Sequence, residues 1–203
     1  MTDGLVDRDA LGKLVAADLW QETLGILELE RVWRLPSAHA DNLLKDIGVP
    51  RRGRPALPPE QVAEIEPRVR HVTGSLPTIG AVDFDRSLVD RLIQHPAIDQ
   101  GEGQLLAALE ARPGDHLLIT GDKRFLEALR HYEPELFEAR RDRLVSLERC
   151  LLRLIERRGV EAIRPNLRVL AHLDRSTALA LGGDGMANEA SVVEGLRSWD
   201  PLR

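Results

Sequence analysis

"LLITGDKRFLEAL", residues 117–129, decides how this chain is read. Its first four letters are a short apolar-rich run bounded by Asp115 and Gly121, the mark of a buried strand, and "KRFLEALRHY" after it has helical spacing. Asp122 stands at the junction, where an aspartate side chain caps the amides of a helix start. Working outward, helices and short apolar runs alternate. Leu5-Val6 precedes a helix that begins just after Asp7. "RVWRLP" (31–36) reads as a strand stopped by Pro36, with a helix through "HADNLLKDIG" ending at Gly48. Further helices are expected from Glu60 to about Val72, across "DFDRSLVDRLIQHP", and through "EGQLLAALEARPG" up to Pro113-Gly114. "RLVSL" (143–147) reads as a last strand and "ERCLLRLIERRG" as a helix capped by Gly159. The remainder reads as short helices broken at Pro165 and at "LGGDG". Strands alternating with helices predict an α/β domain with a largely parallel sheet and helices on both faces.

The chain of 203 residues suffices for one domain with a helical appendage. With 43% hydrophobic and 30% charged residues it has globular composition, and no run is apolar for long enough to span a bilayer. The start has no basic segment leading into an apolar stretch, so a cytoplasmic protein with no membrane partner is expected. Aromatics make up only 3%, which argues against base stacking on an aromatic platform. Cys150 stands alone, which excludes an internal disulfide and predicts a buried core thiol. At a net charge of -5, a nucleic-acid partner has to meet a local basic patch. The loop "VPRRGRPALPPE", with Arg51, Arg52 and Arg54, is the obvious candidate, joined by Lys123 beside Asp122.

Three acids occupy the same kind of place. Asp7 follows an apolar step, Asp122 follows a strand, and Glu102 lies in the first turn of its helix. In an open parallel sheet the carboxyl ends of the strands share one edge, so acids remote in sequence converge there. Converging carboxylates repel one another unless some protonate or a hard divalent cation neutralises them. Capping is the competing explanation: Asp99-Gln100-Gly101-Glu102 has capping-box spacing, and acids favour first turns generally.

The ordered set, Asp7 in "LVDRDALGKL", Glu102 in "DQGEGQLLAALE" and Asp122 with Thr120 in "LLITGDKRFLEAL", resembles the PIN-domain family of metal-dependent ribonucleases. The resemblance covers about residues 4–150. It implies a three-layer α/β/α fold over residues 1–150, with 151–203 as a helical C-terminal extension packed on the same domain. It also implies that Asp7, Glu102 and Asp122 hold Mg²⁺ or Mn²⁺ with Thr120 in support, for endonucleolytic cleavage of RNA. An antitoxin-like protein inhibitor and a homodimer are partners consistent with a toxin-type member. The chain departs from the pattern at Asp9, where a small amide or hydroxyl residue is common, and its fourth acid has no clear counterpart beyond Glu148. Asp7-Arg8-Asp9, Thr120 and "GGDGMAN" with Asp184 also echo haloacid-dehalogenase-like phosphatases, although Lys123 sits too close to Thr120 for that pattern. A third reading keeps the body as a catalytically inactive PIN-like binding module whose acids are caps.

Overall fold

The computed structural model describes residues 2–50, 56–112 and 114–203; Arg51, Arg52 and Arg54 of the expected basic loop lie outside the described residues. The protein is α/β. Four strands, β1 (Thr2–Val6), β2 (Leu29–Arg34), β3 (Leu117–Thr120) and β4 (Leu144–Ser146), form one sheet in the order β2-β1-β3-β4. All three pairings are parallel, with Leu5 beside Leu118 and Leu118 beside Leu144.

Side-chain alternation along these strands divides the interior in two. Val6, Ile119 and Val145 enter one core; Leu5, Leu118 and Leu144, each one residue away, enter the other. The second core is filled by α5 (Arg86–Leu92), α6 (Gln100–Ala111), α7 (Lys123–Tyr132) and α8 (Pro134–Arg140). The first receives α1 (Arg8–Ala16), α2 (Trp20–Ile26), α3 (Ala40–Gly48), α4 (Pro59–Ser75) and the C-terminal helices. A sheet buried on both faces is compatible with three layers, α/β/α.

The C-terminal helices are α9 (Leu147–Arg158), α10 (Val160–Leu173), α11 (Arg175–Leu181) and α12 (Glu189–Trp199). Residue 150, where the sequence reading divides the chain, falls inside α9, and Leu167, Leu170 and Leu196 share a core with Leu14 and Ile119. Cys150 is fully buried there, and burial pushes its thiol up to about 12. Gly159 and Gly182 end α9 and α11 at φ 75° and 77°, a region that favours glycine.

Several boundaries differ from the sequence reading. Pro165 lies inside α10 and does not break it: buried Ile163, Leu167 and Leu170 hold the helix across the missing amide. The first helix is two, because Asp18 turns the chain at φ 56° and Arg68 ties both Asp18 and the Ala16 carbonyl. The second strand begins two residues earlier than the apolar alternation suggests, and β1 extends back to Thr2. No helix among the described residues is long and apolar enough to cross a membrane.

Helix α12 docks through a glycine. A Cβ at Gly195 would lie 2.9 Å from both the Cα and the Cβ of Ala180 on α11, closer than packed carbons tolerate. Gly195→Ala is therefore expected to destabilise the fold by about 1–3 kcal/mol. Thermal melting checks this, and an unchanged midpoint would show that the two helices do not touch at this residue.

Candidate functional site

Asp7 closes β1 and caps α1. One carboxylate oxygen accepts from the Ala10 amide at 2.5 Å; the other accepts from the Gly121 amide at 2.8 Å and from the Thr120 hydroxyl in a short bond. Thr120 also accepts from the Asp122 amide at 3.1 Å, so its hydroxyl links the first and third acids of the set. Asp122 caps α7, accepting from the Arg124 and Phe125 amides at 2.8 and 3.2 Å. Glu102 and Asp99 form the capping box that their spacing predicts, with reciprocal bonds of 2.7 and 2.8 Å. Each acid is thus a helix-capping residue, as the structural reading of the sequence has it.

Their caps share an edge. Asp7, Glu102 and Asp122 line one open cleft of about 610 Å³ at the carboxyl ends of β1 and β3, together with Asp9, Asp46 and Asp99. Three cations, Arg8, Lys123 and Arg124, line it too. All three are engaged: Arg8 with Asp46 at 3.1 Å, Arg124 with Asp122 at 3.2 Å, and Lys123 with Glu148 at 2.6 Å. Among the described residues no ion pair ties Asp7 or Glu102 to a cation, so the cleft keeps an excess of negative charge. Oxygen donors of this kind suit a hard divalent ion. As they stand, no three acidic, histidine or cysteine side chains among the described residues are grouped closely enough to hold one.

The electrostatics follow from this crowding. Burial, then the charge of Asp9, raises the Asp7 carboxyl from 3.8 to about 6 against its hydrogen bonds. Burial raises Glu102 from 4.5 to about 8, with the charges of Asp99, Asp122 and Asp7 adding to it. Burial opposes ionisation of Asp122 as well, but its bonds to Arg124 and to the α7 amides outweigh that and hold it below the usual range.

Two other expectations meet a different environment. Glu148, the candidate fourth acid, is 1% exposed and does not line the cleft; it faces Lys123 and accepts from Ser176 at 2.6 Å, with its Oε2 left without a partner. Lys123, expected to meet a phosphate, lines the cleft, but its ammonium is already held by Glu148 and donates to Ser176 at 2.9 Å. Sequence reasoning missed the partner of this pair, a second buried pair in which Lys13 meets Asp9 and, at 3.2 Å, Asp174. The i,i+4 spacing of Asp9 and Lys13 was visible, but Asp174 lies 161 residues away. Asp184, which the phosphatase pattern would bring to Asp7, lines a separate cavity with Arg168 and His172. Sought among protein-family models, curated proteins and solved structures, the chain finds no significant match.

The Glu102 shift has a sign that can be measured. A carboxyl that holds its proton more tightly folded than unfolded weakens the fold when it ionises, so stability falls as pH rises from about 4.5 to about 8. Glu102→Gln keeps an acceptor for the Asp99 amide and removes the charge. Its melting temperature is expected to exceed the wild type's at pH 8.5, by about 2–4 °C per kcal/mol relieved, and to converge on it towards pH 5. A pH-independent difference would place Glu102 in open solvent.

Proposed function

We propose that this chain is a PIN-like, metal-dependent endoribonuclease in which Asp7, Glu102 and Asp122 hold Mg²⁺ or Mn²⁺. One observation carries the reading: acids from three remote segments, each closing a strand or opening a helix, line the same cleft at the carboxyl edge of a parallel sheet. The donor set fits a hard cation in its chemistry, all oxygen with surplus charge, although the side chains have to draw together around it. Once bound, such an ion lowers the pKa of a water and neutralises charge on phosphate oxygens.

The chain's own residues have separable tasks in this reading. Thr120 and the Gly121 amide saturate one oxygen of Asp7, and the other, which accepts from Ala10, keeps one acceptor position for a ligand. Glu102 can reach inwards by giving up its bond to the Asp99 amide, a cap that costs about 1 kcal/mol to lose. Arg124 and Arg8, on exposed rims, are placed to exchange their carboxylate partners for phosphate oxygens. Lys13 does not line the cleft, and the ammonium of Lys123, which does line it, is held by Glu148.

The test is cleavage of a fluorophore-labelled single-stranded RNA in Mn²⁺, with Asp122→Asn as the variant. Activity is expected to vanish in EDTA and to fall by about 100-fold or more in the variant, since even residues behind metal ligands are worth about 10–100-fold. Cleavage that survives EDTA, or a variant as active as the wild type, refutes the nuclease. Neither cleavage nor Mn²⁺ binding leaves a binding module whose acids are caps only.

A further inference from the structure

A second cavity, of about 430 Å³, is formed by α10, α11 and the turn that follows them, and it shares no lining residue with the acidic cleft. Its volume falls in the range of small-molecule sites. Ala171 on α10 and Ala178 and Leu181 on α11 give it an apolar lining; Arg168, His172 and the turn from Gly182 to Gly185 supply the rest. The turn is preformed. The Gly185 amide donates to the Gly182 carbonyl and the Ala187 amide to the Leu181 carbonyl, both at 3.0 Å. Arg164, buried on α10, clamps the same segment by donating to the carbonyls of Gly185 and Ala187 at 2.9 Å each.

Two opposite charges line this cavity without meeting each other. Among the described residues neither Arg168 nor Asp184 enters an ion pair. The Arg168 guanidinium donates to the Met186 sulfur at 3.0 Å, a weak acceptor that leaves most of its N–H groups unused. Glu161, near enough to feel the Arg168 charge, is tied to Arg164 instead. Asp184 gives one oxygen to the Met186 amide at 2.9 Å and keeps the other. A lone anion here would be repelled by Asp184, and a lone cation by Arg168. A molecule carrying both signs suits both, since each of its charges meets an opposite partner. Exposed ion pairs are worth little singly, so recognition needs both ends and an apolar body together.

We infer that this cavity binds a small zwitterion with an aliphatic body, a free amino acid of the leucine type. Its carboxylate meets Arg168, its ammonium meets Asp184, and its side chain packs on Ala171, Ala178 and Leu181. The inference is independent of the nuclease reading and holds whether or not the cleft cleaves RNA.

The test is isothermal titration of the full chain with L-leucine, expected to bind with a Kd on the order of 1 mM or tighter. Three analogues separate the contacts: N-acetyl-leucine lacks the ammonium, leucinamide lacks the carboxylate, and glycine lacks the side chain. Each is expected to bind roughly tenfold or more weakly. Arg168→Gln and Asp184→Asn are expected to weaken leucine binding by a similar factor at unchanged melting temperature, because asparagine keeps an oxygen for the Met186 amide. No heat of binding up to about 10 mM leucine overturns the site. So does equal binding of leucine and the two blocked analogues, or undiminished leucine binding in both folded variants.

Discussion

A buried carboxylate organises this protein. The Asp7 side chain bonds α1 through Ala10 and bonds the end of β3 through Thr120 and Gly121, so three elements meet on two oxygen atoms. Removing them from water is costly unless their lone pairs are used, and here three donors use them. The strand ends can therefore stand only where those donors reach. Because β1 and β3 are parallel and adjacent, the bonds also fix Asp122, two residues after Thr120, on the same edge. Capping and convergence arise from one arrangement: the amide donors that make each acid a good cap are what crowd the acids together.

The burial pattern places charge as carefully as it places leucine. Lys13 and Lys123 project from α1 and α7, the helices nearest the cleft, yet both ammonium groups are drawn towards the junction of α10 and α11. Asp174 is held well below its usual range there, where burial is opposed and outweighed by Lys13, then Lys123 and its hydroxyl partners. Both cations are compensated by buried carboxylates outside the cleft lining, Lys13 by Asp174 and Lys123 by Glu148. The C-terminal helices thus influence the site through charge without lining it.

What the sequence discloses about this fold is what short-range chemistry decides. The strand "LLIT", the cap at Asp122 and the Asp99–Glu102 box each rest on neighbours within four residues, and all appear in the structure. That Asp7, Glu102 and Asp122 share a cleft was also legible, because parallel strands put their carboxyl ends on one edge. Long-range effects were hidden. Pro165 carries a local signal to stop, overruled by leucines packing across the core. Glu148 sits just past a strand, as Asp7 and Asp122 do, but Lys123 and Ser176 turn it inwards, and only the fold brings Ser176 there.

The segment from Asp200 to Arg203 lies beside β4, a strand of three residues paired, among the described residues, only with β3. Its free side carries backbone groups able to recruit another chain, the usual hazard of an unpaired sheet margin. Asp200 reaches Ser146 at the end of that strand, Leu202 plugs the hydrophobic layer next to Leu144, and Arg141 donates to the Leu202 carbonyl at 3.1 Å. Asp200 and Leu202 thereby fasten the segment after α12 to the last strand and to the helical turns on either side of it.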